Sequence, residues 1–379
     1  MKITNFFFLF IFIFCSCEKK SDDLILKFIE EIESKYAPDS RISLWKVNFS
    51  SFDNTIFGET NLPEAKLELL ELINSNNIYV RDSIDVLPDL SILNYGIVNN
   101  SVSNLRKLPS HSSELVSQSV LGTKLKVLKR KGEWYLVQTP EGYISWIDHG
   151  GFKIMDKNEF DNYFEAESII YKDVFGFAYK SSKQKSVISD LVMGSILKLI
   201  DENTNYYEVM YPDGRIAWVK KSESIKYSSF ISSEKNDTEK LIMNAKKLLG
   251  IPYLWGGTSS KGFDCSGLTK TLYFMNGLVI PRDASQQIDV GFAVDSLRDW
   301  KNLKKGDLLF FGYKKEGKMK IDHVALWLGD EKFIQSSKNV RINSVNPKNK
   351  DYDSYHLDKY VMTRRILGYP YNNLVELND

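Results

Sequence analysis

Apolar positions recur with helical spacing in some stretches of the chain and with strand alternation in others. In residues 62–76, LPEAKLELLELINSN, they set Leu67, Leu70 and Ile73 on one stripe with Pro63 near the first turn, which predicts an amphipathic helix. RISLWKVNFSSFDNTIFGET, just before it, predicts two strands turning near Asp53 and Asn54, and IYVRDSIDVLP after it predicts a third. Residues 24–93 therefore read as a small α+β domain, joined to what precedes them by the polar tether EKKSDD. DTEKLIMNAKKLLG places Leu241, Ile242, Ala245, Leu248 and Leu249 on another helical stripe, with Asp237 as its cap and Gly250 and Pro252 ending it. DCSGLTKTLYFMNG predicts a further helix with Leu268 and Leu272 on one face and Gly277 past its end. Residues 227–236, polar, Ser-rich and without periodicity, read as a linker to a last domain over 237–379.

Strand alternation dominates the middle of the chain, and there it repeats. LGTKLKVLKRKGEWYLVQTPEGYISWI aligns with MGSILKLIDENTNYYEVMYPDGRIAWV at a constant offset, 194 − 122 = 72, which also superposes Pro140 on Pro212 and Trp146 on Trp218. Each copy alternates apolar residues, turns at Pro-x-Gly and closes on an aromatic strand, as a small β-barrel does. Residues 94–152 and 166–226 resemble bacterial SH3-like domains, and Tyr143 of the first stands where the second has Arg215.

Composition narrows the partners. Net charge is 50 − 49 = +1 with no basic run, which argues against nucleic acid. The N-terminus has one Lys and then nine apolar residues, Phe6 to Phe14, too short for a transmembrane helix but suited to a signal peptide. Ser16 before Cys17 fits lipoprotein processing, with 1–17 as the signal and Cys17 as the lipidated residue. The expectation is an exported protein anchored at the cell envelope, on an outer membrane and facing the periplasm. Of three cysteines, Cys15 leaves with the signal and Cys17 carries lipid, so Cys265 has no disulfide partner, and no second ligand motif near it suggests a metal.

Cys265 is then a buried small residue or a nucleophile. At a helix N-terminus, the unpaired N–H groups and the dipole draw a thiol toward thiolate and can hold an oxyanion. Of the four histidines, His111 and His149 lie in and after the first barrel and His356 in a polar stretch, KNKDYDSYHLDKY. His323 alone begins an apolar strand, HVALWLG, and is the candidate base. A hairpin centred on Gly329 pairs positions summing to 658, so it would set Gln335 directly across from His323 as its orienter.

PYLWGG, DCSG, DHVALWLG and FIQSS together resemble the NlpC family of papain-like murein peptidases, in order and spacing over residues 237–369. The resemblance implies a multidomain α+β chain whose C-terminal domain has the papain-like fold. It makes Cys265 the nucleophile, His323 the base and Gln335 the third polar residue, where many members have His, and gives Tyr253 a supporting part near the nucleophile. It extends to γ-D-glutamyl-L-diamino acid endopeptidases of the dipeptidyl-peptidase VI type, in which a first SH3-like barrel walls the cleft. That implies stem peptides of peptidoglycan with a free N-terminal L-Ala as substrate, no cofactor, and a monomer. Carried over residue by residue, Glu114, Tyr143 and Asp264 would face the substrate ammonium, Trp255 and Ser266 would flank the cleft, and Arg282 and Ser285 would hold the D-Glu carboxylate. Two other readings remain: a peptidoglycan-binding lipoprotein without catalysis, and a Cys-His hydrolase of another amide or ester.

Overall fold

The computed structural model describes residues 11–234, 237–368 and 375–376, without the side chains of 11–20, 184–185, 234 and 375–376. The start of the signal segment, residues 1–10, and the side chain of Cys17 lie outside the described residues. The chain divides into two compact units, Met1–Ile92 and Leu93–Asp379.

In the first unit, strands Trp45–Ser50 and Thr55–Thr60 pair antiparallel, and a helix, Pro63–Ser75, crosses to Arg81–Val86, which runs parallel to Thr55–Thr60. That helix buries Ala65, Leu69 and Ile73, an i, i+4, i+8 row, and leaves Leu67 exposed, so the buried stripe keeps Ile73 but is turned by roughly a quarter turn from the expected one. A second helix, Ile11–Tyr36, runs through the stretch expected as a tether. Its Ile25, Phe28, Ile29 and Ile32 recur at helical spacing and complete the unit's core, which is why the chain stays helical there.

The second unit opens with the repeat. Its first copy forms a seven-stranded sheet from Tyr95–Val98 to Phe152–Met155, and its second another from Ser168–Tyr171 to Ser224–Lys226. Numbering the strands of each copy from one to seven, both sheets have the spatial order 7-1-4-5-6-2-3. The sequence repeat is therefore a duplication of one topology.

The expected linker is mostly helical. Tyr227–Glu234 forms a helix because Tyr227, Phe230 and Ile231 at i, i+3, i+4 pack into the core of the last domain, with Phe230 fully buried; residues 235–236 lie outside the described residues. Beyond it come helices Thr238–Lys247 and Cys265–Phe274, the first capped by Asp237 as expected, with Leu249 exposed rather than packed. A six-stranded antiparallel sheet follows, in the order Phe292–Asp295, Tyr360–Arg365, Leu308–Lys315, Lys318–Gly329, Lys332–Ser337, Asn339–Ser344. Leu268 and Leu272 of the cysteine helix pack with Phe310, Val324, Leu326 and Ile334 of the sheet. Alternate residues of the same strands, Phe311, Ala325 and Phe333, face a second cluster.

Candidate active site

Cys265 is the first residue of its helix, and Asp264 caps it by accepting from Gly267 N–H at 2.6 Å. The thiol sits against the strand Lys318–Gly329, where it accepts from the backbone N–H of Val324 and from that of Ser266. Burial pushes it up to about 12, aided by the Asp264 charge, and these N–H contacts and Arg282 recover only part of that. The helix N-terminus draws the thiol toward thiolate, and burial, which leaves it only 8% exposed, opposes it.

His323 directly precedes Val324, whose backbone N–H meets the thiol, and its ring packs on Phe311. Its Nε2 lies 2.6 Å from Gln335 Oε1. The contact was expected; the register that makes it was not. The hairpin turns on Asp330 and Glu331, both at positive φ, and pairs Leu326 with Ile334 and Trp327 with Phe333. Extending that register sets Gln335 across from Ala325, so His323 is reached along the diagonal of the same face. A register irregularity between Trp327 and Gly329 displaces the turn from its expected centre.

Three residues that the sequence reasoning missed or passed over complete this corner. Gln335 Nε2 donates to Asp353 Oδ2 at 2.6 Å and to Asn343 Oδ1 at 2.9 Å. Asp353 also accepts from His356 Nδ1 at 2.8 Å, and the His356 ring stacks on His323 with centroids 4.3 Å apart. The polar stretch hid this because the ring comes to the site only when Asp353 caps the short helix Ser354–Leu357. The spacing Asp-x-x-His was the available signal.

Burial, then the neighbouring His356, hold His323 down to about 3. An unfolded histidine protonates near 6.5, so this group contributes stability above that pH and loses it as the pH falls from about 6.5 to about 3, by up to about 1.4 kcal/mol per pH unit. His323→Gln should flatten this acid loss. Urea midpoints at pH 7 and pH 4.5 check it, and an acid loss as steep as in the native chain would refute the assignment.

Around Cys265 the other expected residues fall into two groups. Tyr253 lies beside the thiol, its hydroxyl proton held tightly by burial and by the charges of Cys265 and Asp264. Trp255 is exposed and donates through Nε1 to Glu114 Oε1 at 3.1 Å, joining the last domain to the first sheet. Tyr143, buried, donates to Asp283 Oδ2 at 3.4 Å, a carboxylate that the sequence reasoning did not single out. Gly256, at φ +77, packs so closely on the backbone of Leu115 that a β-carbon would meet its carbonyl.

The second group is buried. Arg282 is 1% exposed and places Nη2 2.6 Å from Asp264 Oδ2, with Ser266 Oγ and Ser117 Oγ as further acceptors at 2.9 and 3.0 Å. Arg282 pairs with Asp264, which also caps the cysteine helix, and Ser266 lies buried beside them. Ser285 lies half-buried in the short helix Ala284–Gln287. In the second sheet, Arg215 pairs with Asp213 and covers Tyr211, so that copy offers no counterpart of Tyr143.

Comparison with known proteins fits this arrangement. Residues 250–362 match the profile of the NlpC/P60 family and residues 100–152 that of the bacterial SH3 domain. A protein of Bacillus cereus named gamma-D-glutamyl-L-lysine dipeptidyl-peptidase is 32% identical over 266 residues, 68% of this chain and 77% of its own. Dipeptidyl-peptidase 6 of Lysinibacillus sphaericus is 28% identical over 269 residues, 69% of this chain and 94% of its own. The crystal structure of an NlpC/P60 family protein from Bacillus cereus superposes with a TM-score of 0.62 at 27% identity, over 72% of this chain and 99% of that one. The chain belongs to the NlpC/P60 family of cysteine peptidases and carries a bacterial SH3 domain ahead of its peptidase domain.

Proposed function

We propose that this peptidase cuts the γ-D-glutamyl-L-diamino acid bond of peptidoglycan stem peptides whose N-terminal L-Ala is free. The observation that carries the reading is the wall that the first sheet builds beside the nucleophile. Glu114 meets Trp255 there, and Tyr143 meets Asp283. Three carboxylates, Glu114, Asp264 and Asp283, share this region with one buried guanidinium, Arg282, which is paired to Asp264. Glu114 thus keeps the charge that an ammonium needs, since exposed Lys107, 3.5 Å away, is screened by solvent, and Asp283 shares Arg282 with Asp264 at the longer distance of 3.9 Å. The name of the Bacillus cereus relative points to the same bond, and that of the Lysinibacillus sphaericus relative to release of a dipeptide.

In this reading His323 takes the thiol proton of Cys265 as sulfur attacks the γ-carbonyl. The oxyanion is received by N–H groups at the helix N-terminus, with the Tyr253 hydroxyl as a further donor. The imidazolium then gives its proton to the leaving amine of the diamino acid. Water, deprotonated by His323, releases L-Ala-D-Glu from the thioester. Gln335 Oε1 accepts the Nε2 proton throughout. The test is the identity of the products from a stem peptide, with its N-terminus free or blocked.

The sequence supports a lipid anchor on Cys17 and a place on the periplasmic side of an outer membrane. Cys17→Ser should move the protein from the membrane fraction to the soluble one, followed by immunoblot after fractionation. Retention at the membrane would remove the lipid reading.

A further inference from the structure

Gln335 has two ends and His323 can use only one of them. An amide that turns its oxygen to Nε2 keeps the imidazole proton there and leaves Nδ1 as the basic nitrogen. The inverted amide would donate to Nε2, force the proton onto Nδ1 and leave the wrong nitrogen free. The surroundings choose between the two. Asn343 presents Oδ1 to Gln335 Nε2, and its own Nδ2 donates to Asp351 O at 3.1 Å. Asp353 contributes a second acceptor to the same Nε2 at 2.6 Å.

We propose that Asp353 is a positioning residue for the base, whose carboxylate locks the Gln335 amide with its oxygen toward His323 and so selects the reactive tautomer. The inference rests on His323 being the base. Asp353 suits the part because it cannot turn a donor toward Gln335. Burial raises its pKa, but the hydrogen bonds from His356 and Gln335 outweigh that and keep it below the usual carboxylate range. One oxygen, Oδ2, serves both Gln335 Nε2 and His356 Nδ1, while Oδ1 caps the short helix by accepting from His356 N–H at 3.2 Å. Arg341, across the strand pair from Gln335, lies 3.9 Å from the same carboxylate and adds to its anionic character. His356, fixed by this bond, lies flat against the His323 ring and limits its rotation.

The substitution Asp353→Asn tests the lock without emptying the site. Asparagine caps helices as well as aspartate does, so its oxygen stays on the His356 N–H. Its amide nitrogen then occupies the Oδ2 position and confronts the donor end of Gln335, which drives that amide to invert. We expect kcat to fall by about tenfold or more with KM changed by less than about threefold, and the ¹⁵N shifts of His323 to report protonation moving from Nε2 toward Nδ1. Gln335→Glu removes the ambiguity, since both carboxylate oxygens accept, but it sets a second anion beside Asp353. In the Gln335→Glu background, Asp353→Asn should therefore leave kcat unchanged or raise it.

The measurement is a double-mutant cycle on the full-length chain in mild detergent, with urea midpoints confirming that each variant folds. A loss of kcat in both backgrounds, or none in the native background, would overturn the proposal. Failure of the underlying reading looks different: His323→Gln would then keep the native kcat whatever Asp353 does.

Discussion

Cys265→Ala is expected to lower kcat/KM on L-Ala-γ-D-Glu-L-Lys by about 10⁴-fold or more while the chain stays folded. The size follows from the loss of the only atom that can form the acyl intermediate, since the Tyr253 hydroxyl and the helix N–H groups can polarise a carbonyl but cannot attack it. Stability should change little. The side chain is small and sits at the edge of the core, so its removal leaves a cavity worth about 1 kcal/mol. His323→Ala should cost nearly as much activity, and the pair of substitutions scarcely more than either alone, because thiol and ring act as one unit. Steady-state release of the diamino acid measures all three.

The second large effect lies on the substrate. N-acetylation of the L-Ala should lower kcat/KM by about 10²–10³-fold, because it removes a charge and adds bulk where the first sheet closes the cleft. Two charge-assisted hydrogen bonds, each at the lower end of about 1.5–3 kcal/mol, account for that range. The effect should sit in the wall itself. Glu114→Gln is expected to cost about tenfold on the free peptide and nothing on the acetylated one, with Tyr143→Phe behaving alike through Asp283. Equal cleavage of both peptides would leave the Cys-His chemistry standing and remove the amine-binding role of Glu114 and Tyr143.

Much of this was legible in the chain, and its limits have physical causes. Local signals served well: Asp237 and Asp264 cap the helices they precede, and the repeat spacing reports two sheets of one topology. His323 and Gln335 meet as the hairpin pairing implies. Register was harder, because a turn with two positive-φ residues displaces the hairpin and reaches the same contact by a diagonal. Charge was harder still. Arg282, Asp264 and Ser266 read as open polar groups, yet they cancel one another beneath the surface, and nothing in their order along the chain announces that. His356 was missed for the same reason, since its place depends on residues 351–353 folding back against Asn343 and Ser344. Helix Tyr227–Glu234 shows the opposite error, where serine-rich composition masked three apolar residues at helical spacing.

The most direct measurement is mass spectrometry of the products from the stem tetrapeptide L-Ala-γ-D-Glu-L-Lys-D-Ala, and from its meso-diaminopimelate form, incubated with the full-length chain. The expected result is L-Ala-D-Glu and the matching diamino acid–D-Ala dipeptide from at least one of the two, absent with Cys265→Ala. Cleavage at the bond before the terminal D-Ala, or both peptides left intact, would contradict the account.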